Sequence, residues 1–305
     1  MTSRRCRLLL ILGVALLSLA GAGSLRRTQA ADAPAPERTS RPELWFPVGE
    51  DLVYKFYWGF IPIGKARLVT RWIREGERWL LAIRIRTRSN RVIATVYPVD
   101  DVIETIVDPV PFRPLVFTKD LKEGKHRYHE ITTFDYEKGM AQWMSVTKQE
   151  TREYAITPEL RDLISFMYFL RSKKFPDALD AEYRVVADEK IYTLTTTTHG
   201  REKKRIGHFG KVPCVEVEPH AEFQGLFVHE GRLRLWVSLR DRPLITYIKA
   251  RTTLGSVRAV LSEVHGPGND FWARKTREYV DDNDKNEEDP EVERALRELD
   301  ARPGD

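Results

Sequence analysis

Trp79-Leu80-Leu81-Ala82-Ile83-Arg84-Ile85-Arg86-Thr87-Arg88 is the stretch that decides the fold class. Successive side chains of a β-strand point to opposite sides. Trp79, Leu81, Ile83, Ile85 and Thr87 therefore line one face, while Arg84, Arg86 and Arg88 share the other with Ala82. One side is apolar and the other wet and basic, the signature of an antiparallel strand covered on a single face. Leu52, Tyr54, Phe56 and Trp58 repeat the same period upstream. Similar segments predict strands near 66–73, 92–97, 102–107, 115–121, 128–136, 141–147, 183–187, 192–198, 212–217, 233–239, 245–251 and 257–264. Glu75-Gly76, Glu123-Gly124, Lys138-Gly139, Arg240-Asp241-Arg242-Pro243 and Leu254-Gly255 supply the turns between them.

One segment breaks the period. Thr157-Pro158-Glu159-Leu160 offers a capping residue, a proline at a first helical position and an early acid. Leu160, Leu163, Ile164, Met167, Tyr168 and Arg171 follow at helical spacing, which predicts an amphipathic helix running to about Ser172. Leu163, Ile164 and Met167 would pack into the hollow of the sheet, with Asp162, Ser165 and Arg171 as polar ties. The expected fold is mainly β: one large curved antiparallel sheet or partly closed barrel with a single central α-helix.

The ends of the chain set the expected compartment. Arg4, Arg5 and Arg7 precede an apolar run at 8–19, then Ala20-Gly21-Ala22 and, further on, Gln29-Ala30-Ala31. This is a secretory leader pattern, with cleavage expected after Ala22 or Ala30; the alternative is a retained anchor. Residues 1–30 read as signal peptide, 31–45 as flexible linker, 46–266 as one β domain and 267–305 as an acidic, disordered tail. The expected location is the periplasm or cell envelope. Removal of 1–30 takes five arginines and no acid, so the formal charge falls from +5 to zero. Residues 278–305 hold twelve acids and four bases, −8, which leaves +8 on 31–277. A basic body outside the cytoplasm points to anionic lipid or acidic polymer rather than nucleic acid, for which there is no binding motif.

Enzyme constellations fail on spacing. His126 and His129 face opposite sides of a strand, and His220 with Glu222 is too few ligands, so no metal or other cofactor is expected. Cys214 enters an apolar strand as an inert thiol. Ser165 lies on a helix without a nucleophile elbow. Glu50 and Asp51, as strand neighbours, diverge. Two sets of ligand or partner candidates are left. Tyr54, Phe56, Trp58 and Phe60 are aromatics that would line a lipid-sized cavity on a concave sheet, or simply fill a core. Asp162, Ser165, Tyr168 and Arg171 belong to the helix. Phe223 and Phe227 sit in an apolar connection, 223–228, that would touch membrane or plug the cavity mouth.

The chain also resembles an exported bacterial family, domain of unknown function 3108. The resemblance rests on Phe46-Pro47-Val48-Gly49-Glu50-Asp51-Leu52-Val53-Tyr54 with Gly59-Phe60-Ile61-Pro62-Ile63-Gly64-Lys65-Ala66. It continues in Asp162-Leu163-Ile164-Ser165-Phe166-Met167-Tyr168-Phe169-Leu170-Arg171, in Gly210-Lys211-Val212 and in Leu235-Trp236-Val237-Ser238. Asp241-Arg242-Pro243 departs slightly, since the family's aspartate often stands nearer the strand. The likeness spans roughly residues 46–264. It implies a strand-rich, single-helix build similar to envelope lipoprotein carriers, and no catalytic motif. The expected function is therefore a non-catalytic envelope protein that binds or presents an apolar or amphipathic ligand, such as a lipid or lipoprotein-like group. An interaction scaffold with a filled core and an envelope protein partner is the alternative, and a hydrolase on an envelope polymer the weaker third. Peripheral membrane contact fits each.

Overall fold

The computed structural model describes residues 40–173, 182–187, 190–223, 226–228, 233–252 and 255–283. The expected leader, most of the linker and the end of the acidic tail lie outside the described residues.

Strands β1 (Asp51–Trp58), β2 (Ile61–Glu75) and β3 (Arg78–Ser89) lead to helix α1 (Arg91–Val96). Then come β4 (Asp100–Asp108), β5 (Arg113–Glu123), β6 (His126–Asp135), β7 (Met140–Ser145), β8 (Glu150–Ala155), the two-residue β9 (Arg161–Asp162) and helix α2 (Leu163–Leu170). The second half holds β10 (Tyr183–Ala187), β11 (Lys190–Arg205), a 3-10 turn (Gly207–Phe209), β12 (Lys211–Phe223), β13 (Leu226–Val228), β14 (Leu233–Ser238), β15 (Ile245–Thr252) and β16 (Gly255–His265). Helix α3 (Asp270–Asn283) follows.

All the strands join one sheet in the order β8-β7-β6-β5-β4-β3-β2-β1-β16-β15-β14-β12-β11-β10-β9, with β13 on β12. The expected large antiparallel sheet is present. Only the β9–β10 pair is parallel among the described strands. The sheet coils until β9 lies beside β5, yet the end strands β8 and β9 do not pair, so it stays open. Its seam is the pairing of β1 with β16, which sets Asp51 opposite His265.

The alternation of the opening stretch is realised in the register. Ile83, Thr105, Phe117, Thr132 and Trp143 stand in one cross-strand row and are all buried. The opposite face carries Arg67, Arg71, Arg84, Arg86 and Arg88, paired with Asp51, Glu104 and Asp100 across strands. These guanidinium groups are about half exposed, so each pair contributes little stability.

Three local expectations are corrected. Residues 92–97 do not form a strand: Asn90 caps Ile93 N at 2.8 Å and turns 91–96 into α1. The β-branched residues there favour a strand, but the connection between two antiparallel neighbours must reverse, and the cap wins over a propensity of a few tenths of a kcal/mol. The central helix starts at Asp162 rather than Thr157, because Arg161 and Asp162 pair with Val185 and Val186 as β9. The helix is also not single. Residues 270–283, placed in a disordered tail, form α3, with Trp272 buried against Phe209 at 4.9 Å and Thr276 Oγ1 accepting Val264 N at 2.9 Å. An indole with a protein surface to cover offsets the ordering of a few polar turns.

Candidate functional site

Glu50 is fully buried one residue before β1, and the chain converges on it. Arg171 Nη1 and Nη2, at the end of α2, donate to its two oxygens at 2.7 and 2.8 Å. Tyr168 Oη donates to Oε1 at 3.3 Å, and Asn269 Nδ2, just before α3, to Oε2 at 3.2 Å. Arg171 Nε reaches the Pro243 carbonyl, between β14 and β15, at 2.7 Å. Trp45 Nε1 donates to the Tyr168 carbonyl at 2.8 Å, and Phe46 packs its ring 4.6 Å from that of Tyr168. Burial works against charge on Arg171, but the Glu50 carboxylate more than offsets it and holds the guanidinium above its ordinary pKa. The forked geometry satisfies both carboxylate oxygens, which such burial requires. Every donor is used inward, so this cluster is a clasp joining the N-terminal approach, α2, the 243 turn and α3. Tyr54 lies beside it, buried, its hydroxyl donating to the Ile245 carbonyl at 2.7 Å.

Asp162 and Ser165 form a second buried tie. Asp162 Oδ1 accepts Ile164 N and Ser165 N at 2.8 and 3.0 Å, the N-cap of α2. Its Oδ2 accepts Thr105 Oγ1 at 2.7 Å and Ser165 Oγ at 2.8 Å, which fastens the helix to β4. Burial raises the Asp162 carboxyl above its usual range, against the pull of these donors. The Ser165 hydroxyl is wholly enclosed and spent on Asp162, which leaves it unable to meet a polymer substrate in this conformation.

The aromatic candidates do not share a cavity. Phe56 is half-buried and lines, with Ile63, Thr87, Ile93, Tyr97 and Val99, an apolar dimple of about 20 Å³. Trp58 and Phe60 are turned outward, 38 % and 55 % exposed. Strand β1 ends at Trp58, so the alternation that buries Leu52 and Tyr54 no longer has a sheet to cover. Phe223 and Phe227 are not in a loop: Glu222 pairs with Phe227 and Phe223 with Leu226 across the β12–β13 hairpin. Their side chains lie outside the described residues.

A roomier cleft, about 230 Å³, opens on the second half of the sheet. It is lined by Glu202, Lys204, Glu216, Arg234, Trp236, Tyr247, Lys249 and Arg251. Trp236 and Tyr247 meet edge to face at 5.1 Å, Lys204 Nζ lies 3.8 Å over the indole, and Trp236 Nε1 donates to Glu202. Arg234 is paired with Glu216 at 2.6 Å. Four cations against two carboxylates leave the cleft at +2. Alternation alone could not find it, because its residues come from four strands whose order only the register fixes.

Cys214 is buried, its Sγ 3.4 Å from Thr246 Oγ1, and burial pushes the thiol up. Among the described residues no group of three or more His, Cys, Asp or Glu is placed to hold a metal, and no helix is long and apolar enough to cross a membrane. Glu50 and Asn269 were missed as site residues. The divergence of Glu50 from Asp51 was legible, and it is why Asp51 pairs outside with Arg67 while Glu50 turns inward.

No curated protein matches the sequence. Among solved structures, the crystal structure of a β-barrel-like protein of domain of unknown function DUF1849 from Brucella abortus aligns with a TM-score of 0.49 at 13 % identity, covering 72 % of this chain and 97 % of that one. A family profile described as protein of unknown function (DUF3108) matches residues 53–262. That match takes in all the strands from β2 to β15 together with Tyr168 and Arg171 of the clasp, and spans well over half of the sequence: the chain belongs to the DUF3108 family.

Proposed function

We propose that this is a non-catalytic binding protein of the cell envelope, a scaffold with a filled interior that engages an acidic partner on the outside of its sheet. The observation that carries the reading is the distribution of space. The apolar dimple beside Phe56 has room for about one water, far below the ~300 Å³ of a small ligand site. The cleft at Trp236 and Tyr247 is roughly ten times larger and lined by cations. This favours the filled-core alternative over an enclosed lipid. Placement in the envelope rests on the leader pattern of the sequence, and the chemistry of the partner on the surplus of cations beside an aromatic pair.

Binding of a polyuronate by isothermal titration calorimetry tests it. Lys249→Glu with Arg251→Glu should weaken binding at least ~10-fold and flatten its salt dependence, since two of the cleft's four cations are gone. Unchanged binding in that variant, or none in the parent, overturns the assignment. A lipid mass retained in native mass spectrometry of protein taken from its own envelope would restore the apolar-ligand reading instead.

A further inference from the structure

The exposed apolar side chains are not scattered. Large ones exposed among the described residues are Trp58, Phe60, Val92, Val96, Val110, Met144 and Val146. All but Val110 sit at one rim of the sheet. Antiparallel order places the β1–β2, β3–β4, β5–β6 and β7–β8 connections side by side along that rim. Phe60 is in the first, Val92 and Val96 in the second and Val146 in the fourth, while Trp58 and Met144 stand at the strand ends beside them. Val110 lies in the β4–β5 connection at the opposite rim.

Two features set this rim apart from an ordinary loop edge. First, α1 buries none of its residues, although it is rich in Val and Ile, and Val96 is 86 % exposed. Its Ile93 lines the dimple beside Phe56, while Val92 and Val96 are displayed to solvent. It is also held still: Asn90 N and Nδ2 donate to the Ile63 and Pro62 carbonyls at 3.0 and 2.6 Å, and Gly124 N to Pro98 O at 2.7 Å. Second, the connections 59–60, 90–99, 124–125 and 146–149 carry Arg91, Lys125 and Lys148 and no acid, with Asp100, Glu123 and Glu150 at the strand ends beside them. The turns of the opposite rim hold Glu77, Glu137 and Lys138.

Single apolar side chains spaced along an arc, with cations between them, do not make the continuous buried patch that a protein partner needs. They do suit a bilayer surface, which accepts separate insertions at the headgroup level and draws cations to anionic lipid. We infer that this rim docks on an anionic membrane surface, with Phe60 and Val96 entering the headgroup region and Arg91, Lys125 and Lys148 facing lipid phosphates. The docked protein stands on the bilayer edge-on, which leaves the outer face of the sheet, with the Trp236 cleft, free to solvent.

Vesicle flotation of the full chain tests the inference. The parent should float with phosphatidylglycerol–phosphatidylcholine vesicles and not with phosphatidylcholine alone, and soluble glycerophosphate should not compete. Phe60→Ser with Val96→Ser should reduce flotation at least ~10-fold, whereas Val110→Ser should not change it. All compared chains carry the same ends, so the difference isolates the rim. Both residues are exposed, and an unchanged melting temperature excludes misfolding. Equal flotation of the double variant, or competition by glycerophosphate, overturns membrane docking. Polyuronate binding by the double variant should stay at the parent level, which separates this rim from the cleft.

Discussion

Asp101 keeps its charge against its surroundings. Burial pushes its carboxyl up to about 6, although Lys122 N donates to it at 2.8 Å, and Glu123, Asp100 and Asp120 add to the rise. The folded state therefore holds this proton more tightly than the unfolded chain, whose carboxyl has its ordinary value of 3.8. The stabilising contribution is complete below the unfolded value and is lost as pH rises through about 6. Asp101→Asn keeps an acceptor for Lys122 N and removes the charge. It should stabilise the protein by about 1–3 kcal/mol at neutral pH and give no gain near pH 4, as thermal melts at the two pH values will show. An equal gain at both would mean that the side chain, not its titration, sets the effect. Arg171 presents the reverse situation. Arg171→Met leaves the buried Glu50 carboxylate without a counter-charge, held only by Tyr168 and Asn269, and should cost about 3–5 kcal/mol in urea unfolding. Adding Glu50→Gln should recover a large part of that loss, because the two side chains act as one unit. A single-variant loss below about 1 kcal/mol would show that the clasp does not hold the chain together.

Helix α2 illustrates how an element is read correctly in kind and wrongly in detail. Its composition announced a helix, yet the inward face is Ile164, Ser165, Phe166, Tyr168 and Leu170, with Leu163 and Met167 only half-buried. The difference follows from the start point: once Asp162 is drawn into β9, its side chain caps the helix and fixes the rotation of every residue after it. Ile164→Ala should accordingly cost about 2–5 kcal/mol, as a core truncation does. Leu163→Ala, at the half-buried position, should cost clearly less, and chemical denaturation of the two variants will rank them. The opposite ranking would place the helix in the orientation that sequence spacing favoured. Helices α1 and α3 were not anticipated for different reasons. Val92, Ile93 and Val96 favour a strand in isolation, and only the position of Asn90 over the β2 carbonyls turns them. The Trp272 side of α3 was legible as Phe271-Trp272 after Asn269-Asp270, but nothing local says which surface that indole will cover.

Across the whole molecule, strand periodicity was sufficient for the class of fold because it is a local property: residues two apart share a face whatever the strand pairs with. It yielded the covered face with Leu81 and Ile83 and the basic face with Arg84, Arg86 and Arg88 directly. The candidate residues divide along the same line. Asp162, Ser165, Tyr168 and Arg171 were singled out from their own segment and do gather in buried ties. Thr105 stands 57 residues from Asp162 and Pro243 stands 72 from Arg171, while Asn269 joins through Glu50, 219 residues from it. Glu50 lies 121 residues from Arg171, and no spacing rule links charges at that distance. The aromatic run at 54–60 shows the same limit from the other side, since alternation assigns Trp58 and Phe60 to the face of Tyr54 but cannot tell where the sheet beneath them ends. The amino-acid sequence by itself determined the alternating faces, the presence of a central helix and the polar character of its ties, because backbone geometry imposes those on neighbours. Only the tertiary structure decided that β1 pairs with β16, that Glu50 receives Arg171, and that all but one of the large exposed apolar side chains of the described residues meet at one rim, because each depends on strand order and register between segments that no local force brings together.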